Sequence, residues 1–416
     1  MKKQSIFWGL FVGIPLFFTV FVLISVGFLW TQAPFFVTAG NYFYYGTEVP
    51  QDYETAAFCY EHAAQLGDAE GQYFTGWMYE HGYGCKTNDS KAFEWYKKAA
   101  EQGHINAEIE VGYSYSSGSG VEKNPTNAVI WYRKAADQGS ANAQTRLGQL
   151  YFYGKGVDQN NEEAFKWFKI AAEEGYAIAQ NWKGYCHYFG KGTAQDYDQA
   201  VFWYHKAAEQ EVKEAQLRLG ACYADGYGVA KNYTNAVFWY QKAANQGSAN
   251  AQTRLGYFYY KGIGVKQDYL DAVKWYELAA EQGYASAQNS LGLCYCYGTG
   301  VNRNSTSAVK WFQKAVEQNY SKAFNNYAWF LATSPNETIR NGKIAVDFAL
   351  KAIEKYPEKA SPRDTLAAAY AETGQFDLAI ETQKKALELM DKDNREKALV
   401  RLQSYKNHQP WRYPFL

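Results

Sequence analysis

The sequence predicts an all-α fold: an array of paired helices behind one apolar N-terminal helix. Three observations predict it. Tryptophan recurs every 36 residues, at Trp95, Trp131, Trp167, Trp203, Trp239, Trp275 and Trp311. Asn or Asp stands seven residues before each tryptophan, and a glycine or a substitute stands eight residues after it. Residues 6–30 carry no charge.

The N-terminal element comes first. Lys2 and Lys3 precede an uncharged run of 25 residues, Ile6 to Trp30. At about 1.5 Å per residue, a helix of that length crosses a hydrocarbon core of about 30 Å. Pro15 is tolerable inside a membrane helix. Residues 6–30 therefore read as a transmembrane anchor with the lipid bilayer as a partner. Residues 1–5 are then a short cytoplasmic N-terminus, and 31–47 a juxtamembrane segment. A cleaved signal is the alternative, but the small residues 37–39 (VTA) lie well past the apolar run. After Lys3 the next Lys or Arg is Lys86. The positive-inside rule then places the repeats outside the cytoplasm, in a periplasmic or extracellular space.

Composition narrows the function. Forty-two basic residues balance 42 acidic ones, so nothing draws the whole chain toward nucleic acid, and no nucleic-acid partner is expected. With 37 Tyr, 13 Trp and only nine Pro, aromatic packing between helices is favoured over sheets.

Each repeat reads as two helices. The second starts at an Asn or Asp cap: Asn88, Asn124, Asn160, Asp196, Asn232, Asp268 and Asn304. Pro125 occupies a first helical position, where its missing N–H costs nothing. The helix stops at Gly103, Gly139, Gly175, Gly247 and Gly283, where a left-handed residue is cheap. Asn319 is a plausible substitute; Glu211 is not, and predicts strain or a different turn. The first helix carries Leu-Gly-x-x-Tyr, as in Leu147 to Tyr151. Its glycine costs about 1 kcal/mol in a helix, which predicts close approach of a neighbour. One block appears twice: residues 127–148 and 235–256 differ at three of 22 positions. It spans second helix, turn and next first helix, so it is packing frame. Seven full units fill residues 68–319, behind a half unit at 52–67.

Taken together, A-x-x-x-L-G-x-x-Y-x-x-G-x-G-V-x-x-N/D-x-x-x-A-x-x-W-Y-x-K-A-A-x-Q-G resembles the Sel-one-like repeat family over residues 48–319. The resemblance implies a right-handed superhelical α-solenoid and an adaptor for protein complexes rather than an enzyme. Residues 320–405 change register and are similar to tetratricopeptide repeats, with Gly374-Gln375-Phe376 before Ala379 and Ala386. They read as two hairpins and a capping helix. The aromatic tail 406–416 is expected to fold back over the last helix.

The chemical motifs fail their tests. Gly190-Lys191-Gly192-Thr193 lacks the Gly-Lys-Ser/Thr order and the preceding strand of a phosphate loop. Ser307-Ala308-Val309-Lys310 matches Ser-x-x-Lys without its companion motifs. Six cysteines never assemble a familiar metal set, and only Cys59 and Cys85 merit testing as a disulfide. No catalytic residue, cofactor or metal is expected.

A protein or peptide partner would meet the first helices. By analogy with tetratricopeptide repeats, the exposed positions are the first and fourth after the Leu-Gly glycine. They supply Trp77, Tyr113, Phe152, Tyr185, Tyr188, Tyr257 and Tyr260 as candidate partner-binding residues. The reading is a membrane-anchored scaffold. The alternative is a hydrolase or binding protein for cell-wall fragments, as proposed for some members of the family the chain resembles. The scaffold predicts no cluster of perturbed titratable groups; the enzyme predicts one in a closed pocket.

Overall fold

The computed structural model describes residues 33–47 and 49–412. The apolar run 6–30 lies outside the described residues, as do 413–416 of the tail. Among the described residues there are 21 α-helices and no strand. None of these helices is long and apolar enough to cross a membrane. The chain divides into two compact units, Met1–Ala207 and Ala208–Leu416.

In the first unit the helices are α1 (Ala33–Tyr45), α2 (Tyr53–Gln65), α3 (Ala69–His81), α4 (Asp89–Glu101), α5 (Ile105–Ser117), α6 (Pro125–Asp137), α7 (Ala141–Tyr153), α8 (Asn161–Glu173), α9 (Ala177–Phe189) and most of α10 (Tyr197–Glu209). They pair as hairpins, first helix on second. The segment read as juxtamembrane thus contributes a helix, α1, which packs on α2 and completes the half unit. Its Gly40 is the missing clue, 36 residues before Gly76.

The helical glycines explain the hairpin. A methyl group on Gly148 would stand 2.6 Å from the Phe168 ring, and one on Gly76 would stand 2.6 Å from Tyr96. Gly40 meets Tyr60 in the same way. Each glycine is the socket for a ring one helix onward, and those rings are almost wholly buried. The repeat tryptophan joins neighbours instead: Trp131 and Trp167 each pack on the core of the preceding hairpin. The lysine of the motif lies over that ring, with Lys98 Nζ 3.9 Å from the Trp95 centroid.

The caps form as the sequence predicts. Asn88, Asn124 and Asn160 each accept a backbone N–H three residues on, at 3.0 Å. First helices have caps too: Ser140, Asp68 and the His104 imidazole accept in the same way. One substitution is costly in principle. Lys183 takes the Leu slot and is only 5% exposed. Its Nζ reaches Glu173 at 2.8 Å and lies over the Trp203 ring, which keeps the charge paired.

The second unit contains α11 (Lys213–Asp225), α12 (Tyr233–Asn245), α13 (Ala249–Lys261), α14 (Tyr269–Glu281), α15 (Ala285–Tyr297), α16 (Ser305–Glu317), α17 (Ser321–Thr333), α18 (Gly342–Lys355), α19 (Ala360–Glu372), α20 (Phe376–Glu388) and α21 (Lys392–Lys406). Glu211 adopts φ 62°, the same left-handed turn that glycine makes elsewhere, so no different turn exists. Its carboxylate accepts from Gln216 at 3.1 Å and lies 3.4 Å from Lys242. From α17 onward the socket changes. Ala328 and Ala349 meet in one cluster with Leu366, methyl against methyl where earlier hairpins set glycine against a ring. Beyond α21, Trp411 packs on the core cluster that runs from α15 to α21. Arg412 and Arg340 both reach the Glu372 carboxylate, at 2.6 and 2.9 Å.

A polar spine runs along the repeats, unread in the sequence. In several repeats a buried glutamine four residues before the helical glycine accepts from a second glutamine one repeat on; Glu108 takes that place before Gly112 and accepts from Gln138 at 2.8 Å. The pairs are Gln72–Gln102 at 2.8 Å, Gln252–Gln282 at 2.7 Å and Gln288–Gln318 at 2.8 Å.

Candidate functional site

The exposed face of each first helix follows from its glycine socket. At about 100° per residue, the position one after the glycine points well away from the packed ring, while the position four after returns to within about 40° of it. Tyr113 and Tyr257 stand at the first position and are 45% and 47% exposed. Phe152 stands at the fourth, is 9% exposed and packs on Phe168 and Cys186. It is core, so its expected role as a partner-facing group is corrected. Tyr188 and Tyr260, also fourth, are half-buried; Tyr260 packs edge-on to Tyr269. Trp77 is half-buried, stacked on His81 at 3.9 Å, with its Nε1 donating to the Tyr44 hydroxyl. Tyr185 is half-buried among Phe152, Trp182 and Phe189.

The fifth position was missed. Tyr153, Phe189 and Tyr297 occupy it and are 54%, 46% and 42% exposed. First and fifth positions are four apart and share one helix face. The signal was present: this slot varies between repeats as freely as the first.

In the second unit these side chains border a groove of about 880 Å³, with α13 and α15 as walls and α17 beyond. Tyr257 and Tyr260 come together here with Tyr297 and four other tyrosines. Lys231, Arg254, Lys261 and Lys322 line it against one acid, Asp225. Arg254 Nε donates to Asn250 Oδ1 at 3.1 Å, and the guanidinium lies over the Tyr240 ring. Asn326 Nδ2 donates to Asn289 Oδ1 at 2.9 Å. A smaller recess of about 240 Å³ shares Leu293, Tyr297 and Asn326. Its own charges are neutralised, Arg401 pairing with Asp364 at 2.8 Å.

The first unit holds a titratable cluster that the scaffold reading did not expect. Glu110 on α5 is desolvated and faces the charge of Glu80 on α3, which together push its carboxyl up to about 7. The Tyr96 hydroxyl donates to Glu80 Oε2 at 2.6 Å. Burial, then that bond, pushes the Tyr96 hydroxyl far upward.

All six cysteines are free thiols. Cys59 and Cys85 are not joined; Cys85 Sγ donates to the Met78 carbonyl at 3.3 Å. Burial pushes the Cys59 thiol up to about 11 and Cys186, Cys222, Cys294 and Cys296 up to about 12, the range of inert core residues.

This geometry, helix pairs repeating at 36 residues with a glycine socket and an exposed first-helix face, defines a repeat protein of the interaction-scaffold class. The Sel1 repeat model matches residues 39–68, 69–104, 105–140, 141–176, 177–212, 213–248, 249–284 and 285–320, and the chain belongs to that family. A protective antigen of uropathogenic Escherichia coli displaying an SLR fold is similar at 33% identity and TM-score 0.71, over 83% of this chain and 75% of that one. A Sel1 repeat protein from Oxalobacter formigenes is similar at 29% identity and TM-score 0.58, over 70% and 85% of the two chains. No curated protein matches.

Proposed function

We propose that the protein is a membrane-anchored scaffold that holds a protein or peptide partner on the first-helix face outside the cytoplasm. The groove of the second unit carries this reading: exposed tyrosines and cations outside any salt bridge are gathered on one lining. Tyrosine combines a rigid apolar body with a polar tip, which suits an interface anchor. The anchor and the orientation rest on residues 6–30 and on the absence of Lys and Arg from 4–85. Capture of cross-linked partners by the full-length chain tests the reading. Tyr257→Ala with Tyr297→Ala is expected to lower recovery of a specific partner about tenfold; unchanged recovery contradicts it. Protease treatment of intact cells tests the topology, and complete protection of the repeats contradicts it.

One observation favours the second reading, a hydrolase on cell-wall fragments. Glu80 and Glu110 are interacting carboxylates, one of which holds its proton to about pH 7. Turnover of a wall fragment that is lost in Glu110→Gln supports that reading; no turnover contradicts it.

A further inference from the structure

We infer that the groove of the second unit takes an extended, acidic peptide segment. This deepens the scaffold reading and rests on it. The first support is charge. The chain as a whole is neutral, with 42 basic and 42 acidic residues, yet the groove carries four cations and one carboxylate. Among the described residues, none of Lys231, Arg254, Lys261 and Lys322 is ion-paired, although Lys242 and Lys274 nearby are. The bond from Arg254 to Asn250 fixes the guanidinium without neutralising it. Lys231 is engaged by Tyr233 and attracted by Asp225, so a carboxylate in a partner meets Arg254, Lys261 and Lys322 as cations with no salt bridge of their own.

The second support is the hydrogen-bonding pattern. The Asn326–Asn289 bond leaves an Nδ2 donor on Asn289 and an Oδ1 acceptor on Asn326, side by side on the lining. A peptide group offers the matching carbonyl and N–H. A phosphodiester backbone only accepts, so it uses half of the pair. The tyrosine walls then contact side chains between the charged positions. A peptide with carboxylates satisfies cations, amide pair and rings together.

The full-length chain, held in detergent, is presented with a displayed library of random decapeptides. The bound pool is sequenced, and one recovered peptide is measured by fluorescence anisotropy. We expect enrichment of Asp and Glu, and at least about tenfold weaker binding by the triple variant Arg254→Gln, Lys261→Gln, Lys322→Gln. Asn326→Ala is expected to weaken binding without changing the acidic preference. All four side chains are at least partly exposed, and thermal melting checks that each variant folds. A pool enriched in apolar or basic residues overturns the acidic assignment, as does an unaffected triple variant. Tighter binding of a single-stranded oligothymidine by the same groove also overturns it. If Tyr257→Ala abolishes capture of a pool with no acidic bias, the groove stands and only the peptide class falls. If Tyr257→Ala changes nothing, the groove reading falls with it.

Discussion

Three residue-scale predictions follow from sockets, spine and buried charge. Gly148→Ala gains about 1 kcal/mol of helix propensity but drives a methyl into the Phe168 ring. We predict a net loss of about 1–2 kcal/mol in chemical denaturation. Gln144 is the weak link of the glutamine spine. Its Oε1 is buried without a donor, because Glu174 stands where the other repeats supply glutamine. Glu174→Gln restores the donor and is expected to stabilise by about 0.5–1.5 kcal/mol. Glu110 makes stability depend on pH. Its carboxyl titrates near 4.5 when unfolded and about 7 when folded, so the folded state holds the extra proton. Its effect is neutral below pH 4.5, destabilises increasingly as pH rises to 7, and is constant above. Glu110→Gln is expected to flatten that fall, gaining on the order of 2–3 kcal/mol at pH 8. Denaturation at pH 5 and pH 8 checks it.

At the scale of the element, the sequence was most legible where a residue type has one physical role. Asparagine caps and turn glycines could be placed because few side chains accept an orphan N–H or enter the left-handed region cheaply. Helix α1 was missed because Cys59 replaces the marker tryptophan of its hairpin and the apolar stretch before it invites a membrane reading. Its packing is specific nonetheless: Phe36 and Val37 bury against Ala63, and Gly40 receives Tyr60. Phe36→Ala is expected to cost the first hairpin about 3 kcal/mol, read as faster amide exchange in α2 with little change in α7. Phe152 was misplaced for a geometric reason. Counting four residues from the glycine returns to its packed side, whereas counting five reaches Tyr153, Phe189 and Tyr297.

For the whole molecule, the repeat class was readable because a fixed period forces equivalent packing, and the family match agrees with it. The groove was not readable. It depends on how side chains from α13, α15 and α17 converge, and residues such as Arg254 and Asn326 have no marker in the repeat pattern. Glu211 shows the opposite limit: the sequence marked it as unusual, and the structure retained the turn by bonding its carboxylate to Gln216. Partners are proposed to dock on the first-helix face. A photo-crosslinking residue placed at Tyr257 of the full-length chain tests it most directly, with Phe238 on α12 as control, since the two are 47% and 53% exposed. A discrete adduct is expected from position 257 and none from 238. Adducts from 238 alone would contradict it.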